Sequence, residues 1–164
     1  MKRILLSLFA CMVFAFVNAQ DNHFKVGAHV GLPIGKSYDL FDMNLGIDVA
    51  YLWSINDKFS AGVTSGYTMY TSKTYIGQFG RMQRTTNQNF VPVAGTAQYS
   101  LSENWFLGAD LGFAINVYGD LDRGVLYQPK FGYQTKKIEL FAAYKGIADE
   151  YTVSSLNLGF NYKF

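Results

Sequence analysis

The chain has 164 residues, and charged residues make up only 16% of it, where a soluble domain carries roughly 25%. That length fits a single domain. The 14 Lys+Arg exceed the 12 Asp+Glu only because Lys2 and Arg3 precede an apolar leader; beyond it the charges balance at 12 against 12, so net charge gives no case for a nucleic-acid partner.

Lys2 and Arg3 open the leader, residues 4–17 form an apolar run with one serine, and Val17-Asn18-Ala19 offers a cleavage site. This predicts a secretory signal peptide over residues 1–19, cut after Ala19, too short and wrongly flanked for a spanning helix. The mature chain is expected to be one domain, residues 20–164. Cys11 is the only cysteine and leaves with the leader, which excludes a disulfide framework. Leu8-Phe9-Ala10-Cys11 faintly resembles a lipoprotein box, with Phe9 a poor fit.

Period-two alternation predicts eight strands in the mature chain. Residues 23–33 set Phe24, Val26, Ala28, Val30 and Leu32 against Lys25, Gly27, His29 and Gly31. A polar loop follows at Gly35 to Asp39. Residues 43–55 set Leu45, Ile47, Val49, Tyr51 and Trp53 against Gly46, Asp48, Ala50 and Ser54, then Asn56-Asp57-Lys58 turns the chain. Residues 59–72 set Val63, Tyr67 and Met69 against Gly62, Thr64, Gly66 and Thr68. Residues 73–88 are the longest break, polar and without a period of their own.

Residues 89–101 form the fourth strand, with Val91, Val93 and Tyr99 opposite Ala94, Thr96 and Gln98. Ser102-Glu103-Asn104 is a tight turn. The fifth, residues 105–118, sets Trp105, Leu107, Leu111 and Phe113 against Gly108, Asp110, Gly112 and Asn116. A loop at residues 119–124 leads to the sixth, residues 125–134, with Lys130 on its small face. Thr135-Lys136-Lys137 turns into the seventh, residues 138–148, which places Glu139 and Lys145 opposite Ile138, Leu140 and Tyr144. In the eighth, residues 152–164, Leu156, Leu158, Phe160, Tyr162 and Phe164 face away from Asn157, Gly159, Asn161 and Lys163.

Strands of this length can cross a bilayer at a tilt, and turns of about three residues alternate with longer loops. The fold expected is all-β: an eight-stranded antiparallel up-and-down transmembrane β-barrel. Its small face, rich in Gly, Ala, Ser and Thr, suits a narrow interior. That face also holds the charges Lys25, Asp48, Asp110, Lys130, Glu139 and Lys145. The bulky face is apolar, with Trp53, Tyr99, Trp105, Tyr133 and Tyr162 near strand ends as interfacial girdles. A soluble secreted ligand-binding barrel would invert this pattern. Pro92 and Pro129 inside strands, and the phase break at Ser154-Ser155, predict local bulges.

The six inner charges read as a polar network filling a pore-less lumen, with a narrow ion path as the alternative. His23 and His29 sit away from the long loops, where a lipid-modifying enzyme of this size would need a histidine beside a serine and an acidic partner. No metal-ligand spacing and no cofactor motif is present in the sequence. Lys73, Arg81 and Arg84, interleaved with Tyr75, Phe79 and Met82, make residues 73–88 the best binding candidate, for lipopolysaccharide phosphates or a small hydrophobic ligand. The bland alternative is a solvated loop that extends its flanking strands.

The mature chain, residues 20–164, resembles the OmpA/OmpX-like group of small outer-membrane β-barrel proteins. The leader Met1-Lys2-Arg3-Ile4-Leu5-Leu6, the aromatic-Gly strands and the ending Tyr162-Lys163-Phe164 resemble the barrel-only members of Bacteroidetes-type bacteria. The resemblance implies a monomer in the outer membrane of a Gram-negative cell, surrounded by lipid and lipopolysaccharide. It implies that Phe160, Tyr162 and Phe164 match the signal read by the barrel-assembly machinery. It implies a structural or surface-interaction role without catalysis, and no periplasmic cell-wall domain is expected after the last strand.

Overall fold

The computed structural model describes residues 24–76, 82–84, 87–117, 123–149 and 152–164. The expected leader and cleavage site, His23 and Arg81 lie outside the described residues. Among the described residues, ten strands and one short helix follow in chain order. They are β1 (Phe24–Pro33), α1 (Lys36–Leu40), β2 (Phe41–Ser54), β3 (Phe59–Ser72), β4 (Thr74–Ile76) and β5 (Met82–Arg84), then β6 (Gln88–Ser100), β7 (Trp105–Asn116), β8 (Arg123–Gln134), β9 (Ile138–Ala148) and β10 (Val153–Lys163).

Eight strands close into an antiparallel barrel in the order β1-β10-β9-β8-β7-β6-β3-β2, and β4 and β5 pair apart from it. The chain is therefore an up-and-down transmembrane β-barrel. The last strand closes on the first from Lys25↔Lys163 to Pro33↔Ser155, and the Phe164 amide donates to the Phe24 carbonyl at 2.9 Å. No strand edge is left without a neighbour in the lipid, where an unpaired backbone group would find no water.

Each short turn is tied by its own polar side chain, as Asn, Ser and Thr side chains do in turns. Asn56 Oδ1 accepts from the Lys58 and Phe59 amides at 3.0 and 2.8 Å. Ser102 Oγ accepts from the Trp105 amide at 3.2 Å, and Thr135 Oγ1 from the Ile138 amide at 3.1 Å. On the opposite rim, Gly35 adopts φ 60°, a left-handed turn that leads into α1. The expected loop at residues 35–39 thus contains a short helix, and residues 73–88 contain the small hairpin β4–β5.

The alternation sorts the side chains. Leu156, Leu158, Phe160 and Tyr162 are exposed on the outer face of β10, while Ser155 and Asn157 are buried inside. Trp53, Tyr99, Trp105, Tyr133 and Tyr162 all lie at the short-turn rim, so they form one girdle rather than two. Trp105 stacks on Phe131 with centroids 5.2 Å apart, and Tyr51 meets Trp53 at 5.0 Å.

Three expected bulges are absent. Across Pro92, β6 pairs β3 at Val93↔Ser65 and again at Phe90↔Thr68, two residues against two. Across Pro129, β8 pairs β9 at Tyr127↔Gly146 and again at Lys130↔Ala143. Each proline costs ladder rungs but no register. The Ser65 hydroxyl donates to the Pro92 carbonyl at 2.8 Å and recovers part of the loss. At Ser154-Ser155 the register with β9 is also unbroken. Ser154 is buried because α1 covers it, its amide donating to Ser37 Oγ at 2.9 Å. The one shift lies elsewhere, between Phe41 and Met43, and it turns Phe41 into the lumen.

Leu158→Arg on the lipid face is expected to destabilise the barrel by about 2–4 kcal/mol, whereas Glu103→Arg in a short turn, at an exposed side chain, changes stability little. Urea unfolding of the protein folded into phospholipid vesicles measures both.

Candidate functional site: the filled lumen and the loop rim

The inner face of a narrow barrel must be filled by side chains. Here filling works by exchange across the ladder: a large residue lies over the glycine directly opposite. Phe106 faces Gly132 and Phe141 faces Gly159. His29 faces Gly46, where an added Cβ would fall 2.6 Å from Nε2.

Near the short turns, polar groups converge on one carboxylate. Lys25 Nζ donates to Glu139 Oε1 at 2.6 Å and to Gln98 Oε1 at 2.7 Å. Gln98 Nε2 donates to Glu139 Oε1 at 3.2 Å, and Asn161 Nδ2 to Glu139 Oε2 at 3.1 Å. Lys163 Nζ approaches the same carboxylate at 3.7 Å. Lys163 is a cation that the sequence reading left out of the inner set, although its place in the alternation puts it there.

Two separate groups lie higher. Lys130 pairs with Asp110 at 2.6 Å. His29 Nδ1 lies 2.5 Å from Asp48 Oδ2, and Lys145 Nζ lies 2.9 Å from His29 Nε2 and 3.0 Å from Thr68 Oγ1. The six expected charges all face inward, in three hydrogen-bonded groups: Lys25 with Glu139, Lys130 with Asp110, and Asp48 with Lys145 through His29. An ammonium can only donate, so Nε2 is an acceptor and the ring proton sits on Nδ1, against Asp48.

Thr68, His29 and Asp48 have the order of a nucleophile, base and orienting acid. The geometry denies them that use. Lys145 takes the Nε2 lone pair that would accept the threonine proton, and Thr68 Oγ1 to Nε2 is 3.4 Å. Thr68 and Lys145 are 1% and 2% exposed, leaving no room for a substrate beside the hydroxyl.

Toward the long loops the lumen becomes apolar. Phe41, Tyr70, Phe90, Leu126 and Ile147 form one buried cluster. Tyr70 packs against Phe41 and Phe90 with centroids at 5.6 and 6.1 Å, and its hydroxyl pairs with Ser155 Oγ at 3.0 Å. The sequence reading missed these residues, along with Phe106 and Phe141. For all but Phe41 the signal available was their inner phase in otherwise small-residue strands; Phe41 is in the outer phase and turns inward only through the register shift beside it.

At the loop rim Lys73 Nζ donates to the Tyr38 carbonyl at 2.6 Å and stands 3.6 Å above the Tyr38 ring. Lys73 thus ties the root of the β4–β5 hairpin to α1. Arg84 ends β5, paired with Thr74. Arg81 and the Arg84 side chain lie outside what the structure describes, so the expected grouping of Lys73, Arg81 and Arg84 lies outside it too. Among the described residues, no group of three or more His, Cys, Asp or Glu is placed to hold a metal ion.

The sequence matches no protein-family model and no curated protein. The fold is similar to solved membrane barrels. A designed transmembrane β-barrel superposes with TM-score 0.57 at 14% identity, over 88% of this chain and 98% of that one. The Yersinia pestis outer membrane protein Ail in a phospholipid nanodisc gives 0.56 at 15% identity, over 85% and 99%. Ail in complex with the heparin analogue sucrose octasulfate gives 0.52 at 14%, over 86% and 96%. The N-terminal barrel domain of Pseudomonas aeruginosa OprF gives 0.51 at 13%, over 88% and 98%. At these identities the likeness concerns the fold.

Breaking the deepest pair tests the lumen energetics. Lys25→Met leaves Glu139 buried without its closest cation and is expected to cost about 3 kcal/mol. Replacing both, Lys25→Met with Glu139→Leu, recovers most of that loss. Denaturant unfolding in detergent micelles reads the difference between the single and double variants.

Proposed function

We propose that the chain is an integral protein of a Gram-negative outer membrane that acts at the cell surface through its loop rim, without catalysis and as a monomer. The observation that carries this is the double closure of the lumen. One end is held by Lys25, Gln98 and Glu139, the other by Phe41, Tyr70 and Phe90. A lumen filled in this way favours a structural or surface-interaction role over solute transport. Export through the leader of residues 1–19 and insertion guided by Phe160, Tyr162 and Phe164 belong to the same reading, as does a Bacteroidetes-type source.

A second reading gives the rim a ligand: the phosphates of lipopolysaccharide, or another anionic surface glycolipid, held by Arg81 and Arg84. What favours it is the tether of Lys73 to Tyr38, which fixes the root of the hairpin whose second strand ends at Arg84. Ail, a barrel of the same fold, was solved with a sulfated ligand. A small hydrophobic ligand at the rim has no comparable support.

Planar-bilayer recording of refolded protein is expected to show no steady conductance above the bilayer leak; a stable ohmic pore would contradict the surface role. Exchanging Arg81 and Arg84 for Ser is expected to weaken binding to anionic glycolipid vesicles by about thirtyfold, from about 1 kcal/mol per cation near a charged surface. Unchanged binding would remove the glycolipid reading and leave the structural one.

A further inference from the structure

We propose that the outer wall of β8, β9 and β10 is a binding site for an anionic glycerophospholipid of the short-turn leaflet, with one acyl chain in a groove and its phosphate on Lys136 and Lys137. The groove follows from the ladder. Ala142 on β9 pairs with Phe131 on one side and Leu158 on the other. A methyl group between a phenyl ring and a leucine leaves a hollow in an otherwise bulky wall. Along the barrel, Pro129 continues that low floor toward the long-loop rim.

Two hollows of 740 and 400 Å³ share Phe131, Ala142 and Leu158, so they join into one trough. The upper part reaches Leu32 and Ile34; the lower part ends at Trp105 and Tyr133 in the aromatic girdle. The trough faces outward from a transmembrane barrel, so its occupant within the bilayer is hydrocarbon. Aromatic residues at its foot sit where headgroups begin.

Charge selects which lipid fits. The three short turns differ. Asn56-Asp57-Lys58 is balanced, and Ser102-Glu103-Asn104 is acidic. Thr135-Lys136-Lys137 holds two exposed lysines and no acid, and it joins the two strands that hold Tyr133 and Leu140 at the foot of the trough. Lys136 also borders the rim hollow lined by Asp57 and Glu103; a phosphate whose chain lies against Ala142 reaches the turn that carries it and Lys137, and a headgroup with no net charge gains less from them.

Native mass spectrometry of the folded chain, released from nanodiscs holding equal phosphatidylglycerol and phosphatidylcholine, reads the bound lipid. Wild type is expected to retain phosphatidylglycerol over phosphatidylcholine by about tenfold. Lys136→Ser with Lys137→Ser brings that ratio to about one by removing both cations. Ala142→Phe fills the trough and lowers retention of both lipids, and Ala142→Leu, which fills it less, gives a smaller loss. Heat-modifiable gel migration confirms that each variant is folded; both Ala142 changes lie on the lipid face and leave the lumen untouched. The proposal is overturned by equal lipid ratios in wild type and the lysine variant. It is equally overturned by unchanged retention in both folded Ala142 variants, or by paired copies of the chain appearing in place of bound lipid.

Discussion

The constraint on which everything else depends is that a backbone amide inside a bilayer has no water to pair with. Helices satisfy their own amides; strands do so only by closing on themselves. The pairing of β1 with β10, from Lys25↔Lys163 to Pro33↔Ser155, is that closure. Once the ring is shut, the two faces of every strand meet different surroundings, one lipid and one the interior of the barrel. The order of residues along each strand then decides what each surrounding receives.

Closure also makes the interior narrow. Bulk on one strand must be matched by its absence on the next, which is why Phe106, Phe141 and His29 each lie over a glycine directly across the ladder. Charges enter such a space only in partnership. Glu139 collects Lys25, Gln98 and Asn161, and Asp48 is held by His29 and, through it, Lys145. The same partnerships that make burial tolerable occupy the lone pairs a catalyst would use. A filled lumen leaves two places that the filling does not reach, the loop rim and the outer wall.

Much of the fold was legible because period two is a local property. The third and seventh strands fall on the residues the alternation marks, Phe59–Ser72 and Ile138–Ala148, and the others differ by one or two residues at one or both ends. What the sequence could not display are relations between distant residues. Lys25 and Glu139 are 114 positions apart, and nothing in either neighbourhood names the other. Phe41 should face lipid by count, and only a register shift beside it turns it inward. The prolines misled in the opposite direction: a missing amide suggested a bulge, but the ladder skips rungs and keeps its count. The rim was least legible, because loop residues obey no period, and the tether of Lys73 to Tyr38 joins two loops that the sequence separates.

The central claim is that one face of each strand meets lipid while the other seals a dry lumen. Single-cysteine scanning along β10 in the folded protein tests it directly, since no cysteine follows Cys11 in the sequence. Cysteines at Leu158 and Phe160 should be reached by a lipid-soluble quencher acting on an attached probe and escape a water-soluble thiol reagent. Cysteines at Asn157 and Asn161 should escape both while the barrel is folded. Rapid labelling of the Asn157 and Asn161 positions by the water-soluble reagent, or of the Leu158 position by the same reagent, would mean an open channel or an inverted barrel.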